Sequence, residues 1–296
     1  MEKINIISNG GAGDLILSLR LSHLLNTIYP NKYLINNFLA ARDETFNMIK
    51  VSYKDTNLIH NIKQLPEDFL QSIKNQSDID SFDKSAQNYI VYPDTLFRGI
   101  GKFPCSKFGL SPLIIKQSRP LLGKWNPENY ISIHLNSITH GYTYHSISEL
   151  VNSIAARFPD KKIYVPILSS WNNKSLNLNI NKQYPNIEVD IDADFSKVFG
   201  ILCKSEYSVT TDNGILHLLH DIGAPYLLLD PQFNRPAFEA RWRANGYFNS
   251  LDIKSLSDDI VNVIETQIKT PETQMINTSN IFRKELFWDE TLVFKS

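Results

Sequence analysis

Residues 207–225 read Tyr207-Ser-Val-Thr-Thr-Asp212-Asn213-Gly214-Ile-Leu-His217-Leu-Leu-His-Asp-Ile-Gly223-Ala-Pro225. The pattern predicts a short strand over 207–211, a tight turn at Asp212-Asn213-Gly214, and a helix closed by Gly223 and Pro225. At about 100° per residue, Ile215, Leu218, Leu219 and Ile222 form one apolar stripe, while Gly214, His217 and Asp221 point the other way. Asp212 is placed to cap this helix, whose first N–H groups then project from the carboxyl end of a strand. Open α/β sheets bind ligands at that end, and a helix N-terminus there suits a phosphate. His217, one turn in, could add a donor to such an anion. A plain Asp N-cap followed by a surface His accounts for the same residues as structure alone. Both readings stay open on this segment.

A second junction of the same kind opens the chain. Residues 4–8 make a compact strand, and Asn9-Gly10-Gly11-Ala12-Gly13-Asp14 a glycine-rich turn. Leu17, Leu21, Leu24, Leu25 and Ile28 then recur at helical spacing until Pro30. A dinucleotide fingerprint does not fit: Gly11 and Gly13 match its first two glycines, but the third falls on Ile16. The next strand, expected over 33–35, ends in Asn36-Asn37 where an acidic ribose ligand is wanted. A Walker-type GxxxxGK[ST] is also absent. What remains is Asp14 at the mouth of a helix, either a helix-dipole acid or a catalytic carboxylate.

The bulk numbers narrow the class. A chain of 296 residues, 42% hydrophobic and 21% charged, has room for two domains with proper cores. Its formal net charge of −1 offers no global attraction to nucleic acid or an anionic membrane. Cys105 and Cys203 lie in unrelated contexts, forming neither a metal-ligand set nor a disulfide framework, so a reducing compartment is expected. No apolar run approaches the roughly 20 residues of a membrane span. A cytoplasmic protein is the expectation, with peripheral attachment to a membrane left open.

Between the two junctions the signal varies. An amphipathic run near 45–49, a polar acidic stretch and a strand over 89–92 follow the opening. Asp78-Ile79-Asp80 has DxD spacing but sits among Ser, Gln and Asn, and reads as a solvated loop. Arg98, Lys102, Lys107, Lys116, Arg119 and Lys124 form a basic stretch interleaved with Phe97, Phe103 and Phe108, either a solvated face or an acceptor surface. Residues 120–127 read as a linker. A second strand–helix series follows, with strands over 130–134, 162–165 and 187–189. Ser146 with Glu149 has the form of a capping box. Asp190, Asp192 and Asp194 are a second DxD lookalike, but Asp194 or Ser196 reads better as the N-cap of the helix over 195–202 than as a metal ligand. After the strand at 226–229 comes a polar loop with Arg235, Arg241 and Arg243, then a helix over 256–268. Two such series imply two parallel-sheet domains facing across a cleft.

Gly13-Asp14 after the first strand, and Thr211-Asp212-Asn213-Gly214-Ile-Leu-His217 near the end, stand in an order that resembles glycosyltransferase family 9, the heptosyltransferase-like enzymes. The likeness extends over most of the second half and about the first 30 residues. It implies the GT-B fold: an α/β chain of two Rossmann-like domains, 1–122 on the acceptor side and 123–275 on the nucleotide-sugar side. The tail, 276–296, would pack back on the first domain. It further implies an inverting, metal-independent sugar transfer from a nucleotide-sugar donor to a hydroxyl acceptor of the glycan or lipopolysaccharide type, with no cofactor. Asp14 carries over as general base, with Gly13 beside it. Asp212, Asn213, Gly214 and His217 carry over as donor ligands. Ser137 and Thr139 map to the phosphate loop, while Ser169 and Arg235 join the donor site. One departure stands out: heptosyltransferases carry a lysine in that loop, and residues 134–146 hold neither Lys nor Arg.

Two alternatives follow. The missing lysine suits a non-catalytic sugar-nucleotide-binding relative. The basic run over 98–124 suits a transferase acting on a modified nucleic-acid base, against which the near-neutral charge argues. No stable nucleic-acid partner is expected.

Overall fold

The computed structural model describes residues 1–56, 61–91, 105–108, 122–135, 144, 146–167, 184–231, 233–234 and 249–269. The chain divides into two compact units that part between Leu121 and Leu122.

The first unit runs β1 (Glu2–Asn9), α1 (Ala12–Ile28), β2 (Tyr33–Ala40), α2 (Asp43–Tyr53), β3 (Ile62–Leu65), α3 (Gln76–Phe82) and β4 (Gln87–Val91). Its sheet has the order β3-β2-β1-β4, every pair parallel. Ile4, Ile6 and Ile7 of the central strand are wholly buried, as expected when helices cover both faces of a parallel sheet. One face packs Ile4 and Ile6 with Leu21, Leu24 and Leu25 of α1, and the other packs Ile7 with Ile79 and Ile90.

Two expectations for this unit are corrected. Strand β2 does not end at Asn36-Asn37 but runs on to Ala40. Both side chains bond inside the sheet, Asn36 Nδ2 donating to Asn5 Oδ1 (2.9 Å) and Ser22 Oγ to Asn37 Oδ1 (2.5 Å), while Asn37 Nδ2 is buried without a partner. Asp78-Ile79-Asp80 lies in helix α3, not a loop. Asp78 closes a capping box, accepting from the backbone N–H of Lys74 (2.7 Å) and Asn75 (3.1 Å), while Ile79 enters the core.

The second unit runs β5 (Glu128–His134), α4 (Ile147–Arg157), β6 (Lys162–Ile167), β7 (Ile187–Ile191), α5 (Phe195–Lys204), β8 (Ser205–Thr211), α6 (Gly214–Ile222), β9 (Tyr226–Asp230), β10 (Asn249–Asp252) and α7 (Ser257–Lys269). All its strands are parallel, in the order β10-β9-β8-β5-β6-β7. Ile131, Ile133 and Leu135 pack with Leu150, Val151 and Ile154 of α4 and Ile260 and Ile264 of α7. By the pleat, Ser132 and His134 take the opposite face. Ser132 there shares a 2.7 Å hydrogen bond with Ser208, its registered neighbour on β8.

Three further readings change here. Ser146 occupies the N-cap position of α4 but makes no side-chain cap bond, so no capping box forms. Asp190 belongs to β7 and is tied to Lys197 Nζ (2.7 Å) and to the Tyr164 hydroxyl (2.8 Å). Residues 122–126, read as a linker, are bolted to this unit. The N–H groups of Leu122 and Trp125 donate to the carbonyls of Asp221 (2.8 Å) and Ile222 (3.2 Å), and the Trp125 indole to Ser205 O (2.9 Å).

Taken from β5 onward, the six-stranded order is that of dinucleotide-binding sheets, 3-2-1-4-5-6, and the first unit has the 3-2-1-4 part of it. Strand order therefore reverses between β1 and β4, and again between β5 and β8. Ligands of such sheets bind at the carboxyl ends of the strands beside that reversal.

Candidate functional site

At the reversal in the second unit, β8 ends at Thr211 and α6 begins at Gly214. The helix is capped by Asn213, not Asp212. Asn213 is extended (φ −151°, ψ 179°), and its Oδ1 accepts from the N–H of Ile215 (2.9 Å) and Leu216 (3.2 Å). Only a residue one position before the helix places its side chain over those two donors. The amide is itself held, with Nδ2 donating to His134 O (3.1 Å) and the Thr210 hydroxyl to Oδ1 (3.2 Å). One side chain thus joins the ends of β5 and β8 to the start of α6. It also takes two of the helix's leading N–H groups, leaving the N–H of Gly214 outside the cap.

The expected apolar stripe is present, with Ile215, Leu218, Leu219 and Ile222 all fully buried. The opposite face, however, is not exposed. Asp212, His217, His220 and Asp221 are buried too, so His217 is not the surface residue of the plainer reading. The strap formed by 122–126 crosses the last turn of α6, one reason this helix is enclosed beyond its apolar stripe. Gly223 ends it in the left-handed region (φ 83°), with its N–H on Leu219 O (3.1 Å).

His134, the last residue of β5, lies in the strand expected over 130–134 and was not among the expected site residues. It is 3% exposed, and neither ring nitrogen has a hydrogen-bond partner. Burial holds the ring neutral, its pKa lowered to about 3. An imidazole at the end of a strand whose last four residues are buried was the feature to notice.

At the reversal in the first unit, β1 runs into Gly10, Gly11 and α1. Gly10 has φ +136°, and a Cβ on it would lie 2.3 Å from Asp14 Oδ2. That oxygen accepts from the N–H of Gly11 (3.0 Å), the N-cap of α1. Gly11 has no side chain to return the bond, so the acid three residues into the helix satisfies the helix start alone. Asp14 is half-buried and Gly13 sits beside it in the first turn. The turn therefore aims one carboxylate, and glycine at position 10 is the condition for it.

The remaining expected site residues, Ser137, Thr139, Ser169 and Arg235, lie outside the described residues, as does the tail 276–296. Most of the basic stretch does so as well. Among the described residues, no group of three or more His, Cys, Asp or Glu side chains could hold a metal ion, and no helix is long and apolar enough to cross a membrane.

The sequence matches no protein-family model and no curated protein. Solved structures do match. The chain is similar to Escherichia coli heptosyltransferase WaaC with ADP, at 12% identity and TM-score 0.57, over 93% of this chain and 100% of that one. It is similar to E. coli ADP-heptose lps heptosyltransferase II, at 12% identity and TM-score 0.58, over 91% and 99%. A glycosyl transferase family 9 protein from Veillonella parvula aligns at 8% identity and TM-score 0.53, over 90% and 97%. The fold is GT-B. In a GT-B chain the two reversals just described are the first places to look for substrate, since each unit is built to bind at its strand ends. Identities this low carry the fold and leave the chemistry to be argued from the residues.

Proposed function

We propose that this chain is an inverting glycosyltransferase of the family 9, heptosyltransferase-like kind, working without a metal on a nucleotide-sugar donor and a hydroxyl acceptor of the glycan type. The reading is carried by one observation: the two units repeat a single strand–turn–helix device at their sheet reversals, and the devices carry complementary chemistry. The first presents a carboxylate. The second presents a helix start, with a buried imidazole one turn in. In the reaction, the acceptor oxygen bonds to the anomeric carbon as the bond from that carbon to the donor phosphate breaks. The acceptor proton passes to the Asp14 carboxylate, and a nucleoside diphosphate leaves. Charge grows on the leaving phosphate, where the Gly214 N–H, the positive end of α6 and His217 act on it. Ser137, Thr139, Ser169 and Arg235 would complete the donor site. A single displacement inverts the anomeric centre. The expected place of work is the cytoplasm.

The test is a thermal-shift screen of nucleotide sugars, followed by a product assay with excess chelator and an NMR reading of the new anomeric centre. Transfer that survives chelation and inverts configuration is the expected result. Loss of turnover on chelation, or retention, would contradict it. The lack of Lys and Arg over 134–146 favours a second reading, a sugar-nucleotide-binding relative without transferase activity. That reading predicts donor binding with neither transfer nor donor hydrolysis.

A further inference from the structure

Resting on the donor site just proposed, we infer that His134 is a binding residue of that site, its imidazole left unpaired in the free protein to contact the diphosphate of a nucleoside diphosphate at the start of α6. Its position comes first. His134 is the last residue of β5, registered with Thr210 on β8 across the point where strand order reverses. Its side comes next. Ile133 and Leu135 face α4 and α7, so His134 turns to the other face, where its partner in register, Thr210, bonds the cap residue Asn213. The Asn213 amide donates to the His134 carbonyl, which ties the residue to the helix start through the backbone while the ring stays out of that network.

The third point is chemical. Both ring nitrogens are buried and unpartnered, although a neutral imidazole brings one donor and one acceptor. Buried polar groups in folded proteins are nearly always paired, so an imidazole with two idle nitrogens at a ligand-binding strand end calls for a partner from outside. The helix start beside it selects an anion. A phosphate oxygen accepts from the ring N–H directly, and its negative charge favours protonation of the other nitrogen, so that both can donate.

The test uses the full chain with selectively 15N-labelled histidine. ADP, UDP and inorganic pyrophosphate are added separately, with the ring nitrogens read by long-range 1H–15N correlation and melting followed in parallel. The inference predicts that the His134 ring signals move with each probe that raises the melting temperature, pyrophosphate included. It also predicts that His134→Leu melts at or above the wild type when free, because an unpaired polar group has been removed, yet loses most of the nucleotide-induced shift. His134→Gln, which keeps a donor and an acceptor, recovers part of it. Ring signals that stay still while ADP or UDP stabilises the protein would overturn the inference and leave the donor site standing, as would an undiminished shift in His134→Leu. Signals that move with nucleotides but not with pyrophosphate would overturn the diphosphate contact. A wild type that no nucleoside diphosphate stabilises would bring down the donor-site reading itself.

Discussion

The two strand–turn–helix junctions solve the same local problem in opposite directions. Each follows a central parallel strand, and each must satisfy helix N–H groups that have no partner within the helix. At β8–α6 the solution reaches forward: Asn213, before the helix, covers the N–H groups of Ile215 and Leu216. At β1–α1 it reaches backward: Asp14, inside the helix, covers the N–H of Gly11. The first arrangement uses a neutral amide and keeps the helix's positive end available to an anion. The second places a negative charge at that end, which disfavours the anion that the proposed donor site would hold. At β1–α1 the turn requires a glycine, because the Asp14 side chain folds back onto position 10. The pair differs in the charge of the capping side chain, and with it in how far each helix start favours an anion.

The comparison is broken most sharply at Asp14. Asp14→Asn keeps the shape and loses the base, and transfer should fall by about 10²–10⁴-fold. Nucleoside diphosphate affinity should stay within about twofold, because the proposed anion site belongs to the other junction. Steady-state rates beside calorimetric titration separate the two, and near-normal turnover would remove Asp14 from the mechanism.

Gly10→Ala comes next. It sets a Cβ within 2.3 Å of the carboxylate at φ +136°, and should cost roughly 2–4 kcal/mol of stability by denaturant unfolding. Activity should fall with it, since the acid must move.

Asn213→Ala should cost about 1–2 kcal/mol, the usual value of an N-cap side chain, and weaken nucleotide binding as the ends of β5 and β8 come apart. Ser146→Ala sharpens the contrast from below. Ser146 sits at an N-cap position without capping, so a change under about 0.5 kcal/mol is expected. A loss as large as that of Asn213→Ala would mean its hydroxyl does cap α4.

Much of this was legible in the sequence, for identifiable reasons. The alternation of strands and helices shows in the spacing of Ile and Leu, and the α6 stripe and the Gly223 stop are local signals that packing did not override. The choice between Asp212 and Asn213 was not legible, because adjacent residues of equal capping preference are separated only by backbone geometry. Nor was the continuation of β2 through two asparagines, which depends on Asn5 and Ser22 from elsewhere in the chain. The edge strands β3 and β10, Ile-Lys-Gln-Leu and Asn-Ser-Leu-Asp, are too short and polar to show a period of two. The burial of His134 and His217 follows from neighbours distant in sequence, which a helical wheel does not contain.

The most direct measurement is a crystal structure of the chain with ADP or UDP bound. The account predicts a diphosphate within hydrogen-bond distance of the Gly214 N–H, at the carboxyl ends of β5 and β8. A nucleotide seated instead on the Gly10–Asp14 turn, with the start of α6 left empty, would contradict it.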